Sequence, residues 1–533
     1  MLFRSSSGES SPILADLDDD GVFEVIIADS SGYVHAFTGD GTELDGWPVV
    51  TPTDPRLHTD APAYADAGLD LHDGMIATVA VGDLDGDGSP EVFAASGTGS
   101  VYAWHADGTG VTGWPVEILG REPEEFDSQH VYDNGFAGAP TLYDLDGDGS
   151  LEVIAAAMDQ RLYVWDATGA PWGPYPIEVC APELCGNHGT RIINSATVGD
   201  ADGDGAVEIG LGTNEAVNDG NASISYLYDA VSGTLEDGWP LSESGLINRA
   251  GLLPIVGEGH PGSLAFADID HDGDLEIASP IMLGQSPLYN ADASVALDLS
   301  YVSTAFGPDN NTNQPSLAQM TNNPAFGDMT GDGIPEYVIG GAGAYYLIAL
   351  PLISAVDWQN VVGAWDGATG EMLPGWPRQI EDLQFLVAPA IADLDADGKA
   401  EAIMGSGGYL VHAWDAAGEQ PEGWPKFTGN WILGSPAVGD IDGDGLLEVV
   451  VSTREGRLFA WHTRGHADQD IGWASIHHDP QNTGNHETPL ATQAGPKGGK
   501  PQDEGGCCHK GEAAALFWLL PAGVLLRRRR CRR

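Results

Sequence analysis

Aspartates at alternate positions, followed by a glutamate, can surround a hard cation with oxygen. Residues 83–91 read DLDGDGSPE and put Asp83, Asp85, Asp87 and Glu91 into nine positions. Carboxylates this close repel one another unless a positive charge sits among them. Ca²⁺ takes six to eight oxygens at about 2.3–2.6 Å. The three alternating aspartates, the Ser89 carbonyl and the closing Glu91 offer such a set, and Gly88 permits the tight turn. Mg²⁺ suits it less, because Mg²⁺ keeps several waters. Zn²⁺ favours His and Cys, and neither recurs in the loop; His271 occurs once, at a position expected to point away.

The same pattern occurs eight times in all. The ligand candidates are Asp16, Asp18, Asp20 and Glu24; Asp83, Asp85, Asp87 and Glu91; Asp144, Asp146, Asp148 and Glu152; and Asp200, Asp202, Asp204 and Glu208. They continue as Asp268, Asp270, Asp272 and Glu276; Asp328, Thr330, Asp332 and Glu336; Asp393, Asp395, Asp397 and Glu401; and Asp440, Asp442, Asp444 and Glu448. Up to eight Ca²⁺ ions are expected. The sixth site should bind least tightly, since Thr330 replaces a charge. An EF-hand needs an acid at position twelve and helices on both sides. Here position twelve is Ala94, Ala155 or Val451 and the flanks read as strands, so an EF-hand is excluded.

Charge points the same way. The 533-residue chain carries a formal −59, and six of its 21 Lys and Arg lie in the last seven residues. Such a body lacks the basic face that nucleic acid requires, and no nucleic-acid partner is expected. The loop ligands account for 31 of the 80 acidic residues, and eight Ca²⁺ would leave about −43. Cys180 and Cys185 are spaced to close a small disulfide loop in an oxidising compartment, or they stay as free thiols. Cys507, Cys508 and Cys531 lie in the tail.

The loops need elements to hold them. Each is preceded by a short apolar run, such as SPAVG, and followed by runs such as EVFAAS or EVVVST that read as buried strands. A third strand then ends in an aromatic, Trp104, Trp165, Trp365, Trp414 or Trp461. Last comes GWP, at Trp47-Pro48, Trp114-Pro115, Trp239-Pro240, Trp376-Pro377 and Trp424-Pro425. Four short strands per unit, spaced 47 to 68 residues apart, predict an all-β chain. The architecture expected is a β-propeller of eight four-stranded blades with Ca-binding loops. The tryptophans are expected to fill the wedges between blades; the alternative is an aromatic sugar-binding platform.

DxDGDGxxE with SPAVGD or AFGD before it and GxVYAWD after it resembles the FG-GAP/VCBS repeat, the blade of integrin α-subunit propellers. The resemblance covers roughly residues 11–475. It implies a propeller whose calcium loops join the first two strands of each blade on one face. Integrins usually have seven blades, against eight motifs here. The fifth unit lacks GWP and carries an insertion from about 280 to 323, with PDNNTNQPS as an exposed loop. GWASIHHDPQNTGNH, 472–486, is similar to a closing segment of bacterial propellers. There Trp473 is placed at the GWP position of blade eight, and His477 and His478 are given packing and turn roles.

The division read from the sequence is a short N-terminal segment, 1–10, and the propeller, 11–486. A flexible linker with the Cys motif, 487–512, and an apolar segment with an Arg-rich end, 513–533, follow. The tail resembles the MYXO-CTERM sorting signal, which implies Sec export, processing near the cysteines and membrane-associated surface display. No apolar leader opens the chain, so its start is expected upstream. The function expected is a non-enzymatic, calcium-binding surface propeller for adhesion or scaffolding. Its protein or glycan ligand would sit on loops near 54–75, 118–137, 171–193, 241–262 and 280–323. The enzyme alternatives are a calcium-dependent polysaccharide lyase of the eight-bladed type and a quinoprotein-like dehydrogenase. The latter's adjacent cysteine pair occurs in this chain only in the tail.

Overall fold

The computed structural model describes residues 10–53, 72–119, 135–180, 190–215, 223–243, 260, 262–280, 287–297, 299, 319–343, 360–384, 387–469 and 471–491. All belong to one compact unit, Met1–Pro496. The remaining unit, 497–533, lies outside the described residues, as do Cys185, the tail and most of the expected contact loops.

Short apolar runs bounded by Gly and Asp become strands, and each repeat unit becomes one antiparallel sheet. Blade two shows the pattern: Ala80–Gly82, Glu91–Ala95, Ser100–His105 and Val116–Glu117 pair in chain order. Its second strand is buried on both faces, as its unbroken EVFAA predicts. Eight such sheets follow one another, and no described residue is helical. The inner strands begin at Ile13, Ala80, Thr141, Thr197, Ala265, Gln319, Ala390 and Ala437. Each touches the next, and the eighth touches the first, so the ring closes. Blade five keeps four short strands despite its insertion. Blade eight shows three strands among the described residues.

The core lies between sheets. Ile26 and Val34 of blade one share a cluster with Val92 and Tyr102 of blade two, and Val25 and Ile27 share another with Val450 and Leu458 of blade eight. The GWP tryptophans serve this wedge packing. Trp47 and Trp239 are both 7% exposed, and Trp376 is 5% exposed. Each reaches across a blade boundary: Trp47 Nε1 donates to Ala106 O (2.8 Å), Trp239 Nε1 to Ala291 O (2.6 Å) and Trp376 Nε1 to Ala416 O (3.1 Å). Blade three uses Tyr175 from GPYP in this role; its hydroxyl donates to Ala230 O at 2.8 Å.

Trp473 departs from expectation. Ile471–Trp473 does not complete blade eight; it turns to the axis and pairs with the inner strand of blade seven, Trp473 opposite Ile391. The cause is a close approach. Gly472 passes so near Gly327 of blade six that a Cβ on it would lie 2.6 Å from the Gly327 Cα. The chain then crosses the axis and bonds inner strands in turn. The Val438 N–H donates to Ala474 O (2.9 Å), Val81 to Pro480 O (2.8 Å), Leu142 to Gln481 O (2.9 Å) and Val198 to Thr483 O (2.9 Å). Phe266 donates to Gly484 O (2.9 Å), and the Asn482 amide joins blades two and three through Val79 O and Pro140 O. His477 and His478, 6% and 1% exposed, pack inside this segment. Beside it a cavity of about 540 Å³ is lined in part by Ile13, Leu14 and Val438.

Candidate metal centres

Each acidic loop joins the first two strands of its blade, and its local hydrogen bonds explain its shape. The first aspartate folds the loop back on itself. Asp83 Oδ1 accepts from the Asp87 N–H (3.0 Å) and Oδ2 from the Gly88 N–H (2.8 Å). Gly88 takes φ +90°, a left-handed conformation that favours glycine. The third aspartate caps the exit, since Asp87 Oδ1 accepts from the Ser89 N–H at 2.9 Å.

The glutamate is the fixed wall. It opens the second strand in seven blades and is the third residue of Leu446–Thr453 in blade eight, and all eight are buried, 1–3% exposed. In every loop its Oε2 accepts from the N–H of the residue after the first aspartate. The distances are 2.9 Å from Leu17, Leu84, Leu145 and Ile269, 2.7 Å from Ala201, 2.6 Å from Met329, 2.8 Å from Leu394 and 3.0 Å from Ile441. Burial first, and the neighbouring aspartates second, raise these carboxyls against that bond. Glu24, Glu152, Glu276, Glu336 and Glu448 are pushed up to about 7, and Glu208 and Glu401 to about 8. Glu91 is raised by burial too, with the His105 contact opposing.

Donor oxygens converge within 4.8 Å of one another in Asp16, Asp18 and Glu24; in Asp83, Asp85 and Asp87; in Asp144, Asp146 and Glu152; and in Asp200, Asp202 and Glu208. Asp200 Oδ1 and Asp395 Oδ1 are buried with no hydrogen-bond partner. Unpaired buried carboxylate oxygen is costly, and a cation is what such an atom suits. The donor set is hard oxygen, so the residues fit a divalent ion of the calcium type. In the sixth loop the Thr330 hydroxyl instead donates to Glu336 Oε1 at 3.3 Å.

Two residues at the site escape a reading of the loop alone. His105 Nδ1 lies 2.9 Å from Glu91 Oε1, and His462 Nδ1 lies 2.7 Å from Glu448 Oε1. His462 also converges with Asp442 and Asp444. The signal was the histidine after the third-strand tryptophan, in AWHADG and AWHTRG. His271 projects away from its own ligands, as expected, with Nε2 3.0 Å from Gly333 O of the next loop. Cys180 is disulfide-bonded.

Residues 144–211 and 393–451, which span the third, fourth, seventh and eighth loops, match the family description FG-GAP-like repeat. The chain carries FG-GAP-like repeats. Among solved structures the Dos1 propeller matches at 11% identity, with 87% of this chain and 94% of that one covered and a TM-score of 0.51. A europium-containing methanol dehydrogenase matches at 13%, with 85% and 84% covered and a TM-score of 0.51. Rhamnogalacturonan lyase YesW matches at 16%, with 87% and 90% covered and a TM-score of 0.42. At such identities these likenesses concern the fold alone. No curated protein matches the chain.

Proposed function

We propose that the chain is a calcium-held, non-enzymatic binding propeller displayed at a bacterial cell surface, serving adhesion or scaffolding through a protein or glycan ligand. The observation that carries the calcium part is the eightfold repetition of one carboxylate geometry, with Asp200 Oδ1 and Asp395 Oδ1 buried and unpaired. Asp, Asp, Asp and Glu of each loop would hold one ion, with Thr330 in place of the second Asp in the sixth. The ion would supply the charge that lets those carboxylates stay ionised inside the ring. The binding part is supported by how the ring is held. The loops brace one face and residues 471–486 brace the axis. Connections on the opposite face are then free to vary: blade seven reaches blade eight between 427 and 437, whereas blade one reaches blade two between 50 and 80. Surface display rests on the basic tail after an apolar run.

The test has two parts. Elemental analysis of the dialysed protein is expected to find calcium near one ion per loop, and EGTA is expected to lower the melting temperature strongly. A calcium-free protein with an unchanged melt overturns the calcium part. Screening on glycan and protein arrays with calcium present is expected to find a retained ligand. Appearance of unsaturated products from acidic glycans, followed by ultraviolet absorbance, would instead make the chain a lyase.

A further inference from the structure

Cations are scarce in this chain, and three of the described ones have an acidic partner. Arg161 bonds Asp159 at 2.9 Å, Arg464 lies 3.4 Å from Glu422 and Arg457 lies 3.9 Å from Glu455. Two others do not. Lys426 sits over the Trp424 ring, Nζ 5.0 Å from its centroid, and Arg454 sits over the Trp431 ring at 5.4 Å. Neither has a carboxylate within ion-pair distance among the described residues, in a chain with 80 acidic groups. Both lie along one edge, the outer strand of blade seven and the adjoining turn of blade eight. The Arg454 N–H donates to Trp431 O at 2.8 Å, and the Thr428 N–H donates to Tyr409 O at 2.9 Å. Phe427, between the two pairs, is 67% exposed, and Tyr409 is 42% exposed. Tyr409 is held out at φ +69°, which a tyrosine adopts only under constraint.

We infer that this edge of blade seven binds an acidic carbohydrate chain. Phe427 and Tyr409 offer flat apolar faces to sugar rings, while Trp424 and Trp431 hold the two cations in place. Lys426 and Arg454, presented on aromatic faces instead of neutralised by carboxylates, offer donors to the uronate or sulfate groups. The complementarity is one of charge: an anionic polymer is repelled by a chain that is strongly acidic overall and meets two cations without carboxylate partners here. Single strands of nucleic acid also use aromatic and cationic side chains. Their phosphate at every residue meets more of that repulsion than a sugar acid spaced along a chain. The inference deepens the proposed binding role and rests on it.

The test uses the full chain in calcium, titrated with sodium hyaluronate, with dextran and single-stranded oligothymidylate as comparators. Hyaluronate is expected to bind, with affinity falling as salt rises. Lys426→Ala with Arg454→Ala, and Phe427→Ala separately, are expected to weaken it at least about tenfold. Val231→Ala, exposed on blade four, is expected to leave it unchanged. Melting temperature and calcium content confirm that each variant is folded. Absent binding, equal binding to dextran, tighter binding to oligothymidylate, or an unchanged double variant each overturns the inference. An array ligand that binds wild type and the double variant alike overturns this site and leaves the general binding role standing.

Discussion

At each loop one buried glutamate sets the electrostatic problem. Glu401 is 2% exposed, bonded to one backbone N–H and faced by three aspartates, and its carboxyl is pushed up to about 8. Without metal, the folded protein therefore holds protons between the ordinary value of 4.5 and about 7 to 8 that the unfolded chain releases. The unfolded state binds fewer protons in that window, so stability falls as pH rises through it. In EGTA, the melting temperature is expected to be lower at about pH 8 than at about pH 5.5. Saturating calcium is expected to flatten or reverse that slope, because the ion takes the protons' place. A chelated melt that rises toward pH 8 contradicts the assignment. Single sites follow the same logic. Asp85→Ala and Asp442→Ala are each expected to lose one ion by elemental analysis, and Thr330→Asp is expected to tighten the sixth site. An unchanged ion count in both alanine variants would place the metal elsewhere.

Blades are joined by side chains that cross between sheets, and these carry the next prediction. Trp239 fills the wedge between blades four and five and bonds Ala291 O. Trp239→Phe keeps most of the apolar contact and loses that bond, for an expected loss of about 1 kcal/mol. Trp239→Ala also opens a cavity, for an expected loss of about 3–5 kcal/mol in chemical denaturation. An unchanged midpoint in Trp239→Phe would deny the bond a role, and equal losses in the two variants would deny the packing one. The wedge was legible in the sequence because its signal is local: GWP recurs at a fixed place in the unit. So was the loop, whose bonds span five residues or fewer apart from the glutamate. Tyr175 was missed because GPYP lacks the tryptophan, although the position is conserved in structure: Tyr175–Pro176 adopts the same cis bond as Trp47–Pro48. His105 and His462 were missed because the partner glutamate is fourteen positions away and meets them only through strand pairing.

A ring of eight sheets must resist opening, and residues 471–486 do this from inside. Nothing in GWAS distinguishes it locally from GWP except the missing proline, so sequence spacing assigned Trp473 to blade eight. The choice is made far away, where Gly327 of blade six leaves room for a glycine backbone and for nothing larger. Gly472→Ala puts a Cβ 2.6 Å from the Gly327 Cα and 3.2 Å from Phe326 O, both backbone or backbone-adjacent atoms that cannot rotate aside. Either the inner strand of blade six shifts or residues 471–473 leave blade seven. Overpacking of this kind costs about 1–3 kcal/mol. Gly110→Ala is the matched control: its Cβ meets nothing within 4 Å. Denaturant midpoints are expected to fall for Gly472→Ala and to stay put for Gly110→Ala. Because the axial segment touches the inner strands and not the acidic loops, the calcium content of folded Gly472→Ala is expected to match wild type. A variant that keeps its midpoint would mean that the ring is closed by its sheets alone, and one that loses both stability and calcium would mean that axis and loops form a single cooperative unit.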